Sequence, residues 1–136
     1  MCRLPAGWEE RGESLLAQLS MLPVRDTLGS ELSKGMRQKT LVAATILAQT
    51  PILLLDEPMI GLDPLGQRGL RDLLRDLRAG GTAIMLSTHQ LETAEALCDR
   101  VVILNGGSVV ASGTIEELHA LGSGTLEDVF LAITRP

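Results

Sequence analysis

The chain has 136 residues, one domain's worth of polypeptide, with 45% hydrophobic and 21% charged side chains, the balance of an ordinary globular protein. Trp8 and Phe130 are its only aromatic residues, which excludes a nucleic-acid module that stacks bases on aromatic rings. A formal charge of −5 likewise disfavours a binder of phosphate backbones, so no nucleic-acid partner is expected.

Residues 1–10 carry three charges and a Pro where a secretory leader would carry an apolar run. The longest uncharged stretch, residues 40–55, is broken by Gln49 and Pro51 and falls short of the about 20 apolar residues that span a bilayer. Cys2 and Cys98 stand far apart with no CxxC spacing and read as unpaired thiols of a reducing compartment. A soluble chain is expected.

Leu15, Leu16, Leu19 and Leu22 recur at helical spacing and predict a short helix over 9–22, closed by Pro23. After a turn-like stretch, Ser33 stands where an N-cap would, ahead of an apolar segment reaching Gln49. From Leu41 to Ala48 the only polar side chain is Thr45, so this helix is expected to be buried nearly all round. Pro51 ends it. Residues 52–55 form a continuous aliphatic run of the kind found in strands buried on both faces.

Asp63-Pro64 opens the next helix, with Asp as cap and Pro at the first helical position. Leu70, Leu73, Leu74 and Leu77 form its inner stripe, and Gly80-Gly81 stops it. A second strand is predicted over 82–87 and a helix over 91–98. Asn105-Gly106-Gly107 then joins strands 100–104 and 108–112 in a hairpin, because Asn and Gly tolerate positive φ. Two short helices finish the chain, the last starting at Thr125 with Asp128 completing a box-like cap and Leu126, Val129, Phe130 and Ile133 on one face.

Alternating strands and helices predict an α/β fold, a mainly parallel sheet flanked by helices. Ligands in such sheets bind beyond the carboxyl ends of the strands. Asp56 and Glu57 follow the first strand; Ser87, Thr88 and His89 follow the second. One sheet edge is therefore expected to receive Asp56, Glu57 and His89. An Asp there can hold Mg²⁺ beside a phosphate, and a Glu can orient and deprotonate water. Plainer readings exist for each: a solvated turn for Asp-Glu, a satisfied surface or core His for His89, and helix capping for Ser33. His89 and His119, 30 residues apart, lack the spacing of a metal pair.

The order of motifs goes further. Leu32-Ser33-Lys34-Gly35-Met36 lies about 20 residues before Asp56-Glu57, Gly61-Leu62-Asp63-Pro64 lies just after, and His89 follows. In this order and spacing the chain resembles the nucleotide-binding subunits of ATP-binding-cassette (ABC) transporters over nearly its whole length: signature loop, Walker B strand, D-loop and switch His. The resemblance implies an incomplete P-loop NTPase fold over residues 1–136. Residues 1–50 would be a partial helical subdomain, and residues 51–136 half of the catalytic core with a C-terminal hairpin and helices. It also implies the cofactors ATP and Mg²⁺, with Asp56 on the metal, Glu57 on the attacking water and His89 sensing the γ-phosphate. Ser33, Lys34, Gly35, Met36 and Asp63 would face a nucleotide held by a second nucleotide-binding subunit. The implied partners are that subunit and a membrane permease, and the implied place is cytoplasmic, at the inner face of the cell membrane.

The departures carry information too. The family's usual Leu-Ser-Gly-Gly-Gln stands here as Leu32-Ser33-Lys34-Gly35-Met36, a form which, like Leu126-Glu127-Asp128-Val129-Phe130-Leu131 at the end, resembles subunits of bacterial exporters. No G-x-x-x-x-G-K-[ST] loop occurs; the only Lys-Thr, Lys39-Thr40, has no upstream glycines. The chain is expected to begin partway through the helical subdomain. It is therefore read either as a portion of an exporter ATPase or as an inactive partner that donates its signature loop to a full-length one. A chromosome-maintenance ATPase shares these motifs, but no heptads precede residue 32.

Overall fold

The computed structural model describes residues 5–122 and 124–134, which form two compact units, one ending at Ser87 and the other starting at Thr88. Cys2 lies outside the described residues; Cys98 is half-buried and forms no disulfide among the described residues.

The first unit contains α1 (Trp8–Gln18), a 3-10 turn (Leu22–Val24), α2 (Lys34–Leu47), β1 (Ile52–Asp56), α3 (Pro64–Ala79) and β2 (Ala83–Ser87). Helix α1 is shorter than its leucine spacing predicts. It closes at Leu19, with Ser20 in the left-handed region (φ 57°) and Met21 N–H returning to the Leu16 carbonyl at 2.7 Å. Leu15 and Leu19 are buried as expected, while Leu22 falls in the 3-10 turn and is half exposed.

Strands β1 and β2 pair in parallel with Asp56 opposite Ser87, and α3 is the crossover between them. Asp63 caps α3 by accepting from Gly66 N–H at 3.0 Å. At the other end Gly81 takes φ 92°, Gly81 N–H reaches the Arg78 carbonyl and Thr82 N–H the Leu77 carbonyl, a Schellman closure. Leu70, Leu73 and Leu74 are buried, and Leu70 is 0% exposed, worth about 1.5–3 kcal/mol of transfer free energy for such a side chain.

Burial departs from the expected pattern in α2 and in β1. Helix α2 is not apolar-side-in all round: Val42, Ala43 and Ile46 are buried, but Leu41 is 65% exposed and Ala44 and Thr45 face outward. β1 is buried on one face only, with Leu53 and Leu55 inside and Ile52 and Leu54 60% and 69% exposed. The reason is the same in both cases. Helices α2 and α3 pack against β1 and β2 respectively and α1 packs on α2, which leaves the alternate side chains of the strands without a covering layer.

The second unit contains α4 (Leu91–Leu97), β3 (Arg100–Asn105), β4 (Ser108–Thr114), α5 (Ile115–His119) and α6 (Leu126–Thr134). The third strand does not extend the parallel pair; β3 and β4 form their own antiparallel sheet. Asn105 still pairs with Ser108, so the turn is Gly106-Gly107, with φ 55° and 77°. Positive φ at both central residues is what a two-residue hairpin of right-handed twist requires. The unit's core is built on Ala94, Ile103, Leu118 and Leu126, with Phe130 and Ile133 packed against it.

Candidate functional site

β1 delivers Asp56 to the carboxyl end of the parallel pair, where its carboxylate is exposed. Ser87, in register across the strands, joins it to the next residue. The Ser87 hydroxyl donates to Asp56 Oδ1, and Glu57 N–H is shared between Ser87 Oγ at 3.2 Å and the Ser87 carbonyl at 3.1 Å. One hydroxyl thus donates to one carboxylate residue and accepts from the other. Glu57 has φ 44°, a left-handed conformation that costs a non-glycine residue on the order of 1–3 kcal/mol and collects at functional positions. The paired acceptors on Ser87 hold it there, and Pro58 and Met59 immediately after are buried.

The turn before α2 is brought to the same loop. Leu32 is buried and Ser33 caps α2, accepting from Met36 N–H at 3.2 Å. Lys34, Gly35 and Met36 make up the helix's first turn. A β-carbon on Gly35 would lie 2.7 Å from the Gly61 carbonyl oxygen, and the aliphatic stem of Lys34 runs over Gly61. Further along, the Lys39 side chain lies against Gly66, three residues after Asp63 and the donor to its capping carboxylate. Residues far apart in sequence therefore form one packed ridge: Ser33 to Met36, the 57–62 loop and Asp63.

His89 lies in the second unit, exposed in the 88–90 segment, two residues beyond Ser87 along the chain. His119, the other histidine, is engaged by Glu95. Among the described residues no three His, Cys, Asp or Glu side chains gather as a self-sufficient metal site. Sequence reasoning passed over Ser87, although its place at the end of the second strand was the available signal. An open cleft of about 600 Å³, lined by Arg11, Leu15, Ile46, Leu53, Leu73 and Asp76 among others, also includes Thr50 and Pro51 at the start of β1. It is thus at the opposite strand end from the carboxylates, away from where parallel sheets bind ligands.

Residues 27–95, half of the chain, match the family described as "AAA domain, putative AbiEii toxin, Type IV TA system". The ABC-type transporter ATP-binding protein EcsA of Bacillus subtilis (strain 168) is 35% identical over 130 residues, spanning 93% of this chain and 53% of EcsA. The daunorubicin resistance ATP-binding protein DrrA3 of Streptomyces coeruleorubidus is 37% identical over 121 residues, 89% of this chain and 38% of DrrA3. A solved ATP-binding subunit of an ABC transporter superposes with a TM-score of 0.86 at 34% identity, over 94% of this chain and 55% of that one.

A parallel strand–helix–strand unit with carboxylates at the strand end and this family match define an AAA-type domain of the P-loop NTPase class. Within that class the chain belongs to the ATP-binding proteins of ABC transporters, of whose nucleotide-binding domain it is a part. It spans between about a third and about half of the length of the relatives named. No helix among the described residues is long and apolar enough to cross a membrane.

Proposed function

We propose that this chain is the Walker B and signature-bearing portion of a subunit that binds and hydrolyses ATP to drive export through a membrane permease. Residues 1–50 belong in this reading to a helical subdomain and residues 51–136 to the catalytic core. The observation that supports it most is Ser87 joining Asp56 to Glu57 at the carboxyl end of the parallel pair. This holds one carboxylate exposed and the next residue in a strained, defined backbone conformation, as a site for oriented water and phosphate needs.

Asp56 offers a hard oxygen ligand with no surrounding cage, which suits Mg²⁺, an ion usually held by one or two carboxylates together with phosphates and water. When bound, that ion neutralises phosphate charge. Glu57 orients and deprotonates the attacking water, and His89 reaches the γ-phosphate. Ser33, Lys34, Gly35 and Met36 present a hydroxyl, a cation and backbone N–H groups at the start of a 14-residue helix to a nucleotide on a second subunit, with Asp63 beside it. Export is favoured by the Ser33-Lys34-Gly35-Met36 form, and the name of DrrA3, a daunorubicin resistance ATP-binding protein, accords with it. The subunit works at the cytoplasmic face of the membrane.

The test is to co-express the chain with the segment of EcsA that lies outside the match. The expected result is an assembly that hydrolyses ATP and loses turnover in Glu57→Gln. Turnover unaffected by that change would overturn the assignment of Glu57.

A second reading rests on a specific observation: the ridge from Ser33 to Asp63 is fully built in a sequence with no phosphate loop. The chain would then complete the site of a full-length partner without hydrolysing ATP itself. Stimulation of such a partner's ATPase by the added chain, abolished by Ser33→Arg, would support it.

A further inference from the structure

Glu95 is placed where neither the sheet edge nor the 33–63 ridge uses it. From α4, its Oε1 accepts a hydrogen bond from the backbone N–H of Leu126 at 2.5 Å and lies 2.9 Å from His119 Nε2. Leu126 is the first residue of α6, and first-turn N–H groups have no acceptor within their own helix. His119 is the last residue of α5. One carboxylate oxygen therefore ties together three helices whose contributions are 24 and 31 residues away from it in sequence.

The setting makes that tie consequential. Beneath it Leu118, Leu126 and Val129 are 0% exposed, and α6 packs on α4 and α5. Helix α6 has nine residues, short enough to be marginal without tertiary support. Its own local cap, Thr125 N–H to Asp128 Oδ2 at 2.9 Å and Asp128 N–H to Thr125 Oγ1 at 3.3 Å, serves other donors and leaves the Leu126 N–H to Glu95. A negative charge at a helix start is also favoured by the helix dipole.

We propose that Glu95 is a clasp that docks α6 onto α4 and α5, with His119 as its second donor, so that loss of the Glu95 charge releases α6 as a strap while the β3–β4 hairpin stays folded. The charged groups on the packed elements are Glu92 and Glu95 of α4, Glu116 and Glu117 of α5 and Glu127 and Asp128 of α6, with no charged residue on β4. Glu117 is engaged elsewhere, accepting from Thr114 N–H at 2.8 Å and lying 3.9 Å from Arg100. His119 is the one basic side chain on these helices.

The Leu126 N–H and, after it, the His119 hydrogen bond hold the Glu95 carboxyl below its ordinary range, with desolvation and, less, the Asp128 charge opposing. A carboxylate whose folded-state value is depressed stabilises the fold above its unfolded value, about 4.3, and that contribution is lost as the pH falls through the folded value. Docking of α6 is therefore expected to hold near neutrality and to fail in acid.

Hydrogen–deuterium exchange on the full chain at neutral pH tests this. In Glu95→Gln the amides of α6 should exchange about tenfold faster, with β3 and β4 unchanged. His119→Leu should raise α6 exchange less than Glu95→Gln does, and His119→Gln, which keeps a donor, should restore it. With intrinsic rates divided out, α6 of the unmodified chain should lose protection below about pH 4, a step absent in Glu95→Gln. Unchanged α6 protection in Glu95→Gln would overturn the clasp. So would a uniform loss across the whole unit, or an acid step that survives the substitution.

Discussion

Gly35 and Gly61 meet backbone against backbone, so closely that a β-carbon on Gly35 would lie 2.7 Å from the Gly61 carbonyl oxygen. The packing therefore calls for glycine at position 35 whatever ligand the loop meets. Gly35→Ala should force the start of α2 away from the 57–62 loop at a cost of about 1–3 kcal/mol, the usual range for overpacking. A lowered denaturant midpoint at unchanged slope would register this. Gly29→Ala, where nothing lies within 4 Å, is the control and should stay within about 0.5 kcal/mol. Equal effects at the two positions would contradict the contact.

Ser20 is a side-chain-bearing residue in a position built for glycine. It holds φ 57° at the closure of α1, where a β-carbon costs about 1–2 kcal/mol. Part of that is returned to the unfolded chain when glycine replaces it, since glycine has more freedom to lose. Ser20→Gly should therefore stabilise the first unit by up to about 1 kcal/mol. A melting temperature that falls instead would show that the serine side chain carries something the backbone geometry does not reveal.

Leu54 and Met85 are register partners on the open face of the parallel pair, 69% and 72% exposed. With Ile52 at 60% they form an apolar strip on a two-stranded sheet, the kind of surface that seeks another chain. The 136-residue chain alone should oligomerise. Leu54→Lys combined with Met85→Glu, an opposite-charge pair across the strands, should shift its sedimentation profile toward the monomer. A sharp monomeric profile before any substitution would rule this out.

The same isolated chain should show no ATPase activity and no saturable ATP binding at millimolar nucleotide. In the proposed reading Asp56 and Glu57 would supply groups for chemistry on a phosphate, but the sequence contains no G-x-x-x-x-G-K-[ST] loop to cradle one. Robust hydrolysis by the isolated chain that vanishes in Glu57→Gln would refute this expectation.

Much of the local structure is legible without coordinates. Ser33, Asp63 and Thr125 cap the helices they precede, Gly81 closes α3, and the aliphatic runs 52–55 and 83–86 are strands. Each depends on residues adjacent in sequence, where hydrogen-bond geometry and φ preference act over one turn. Burial was less legible. The run Ile52-Leu53-Leu54-Leu55 reads as doubly buried, yet half of it faces outward, because burial depends on which layers cover the sheet. The Asn105-Gly106-Gly107 turn announces the β3–β4 hairpin, but no short-range pattern reveals whether β3 also pairs with a parallel neighbour.

The sequence by itself determined the order and type of the elements, the motif series from Ser33 through Asp56, Glu57 and Asp63 to His89, and the family that this series resembles. All of these follow from short-range chemistry or from spacing along the chain. Only the tertiary structure decided that Ser87 joins Asp56 to Glu57, that Gly35 closes on Gly61, and that Glu95 reaches Leu126. Those pairs are 26 to 31 residues apart, and contacts of that range exist only once packing has brought the elements together.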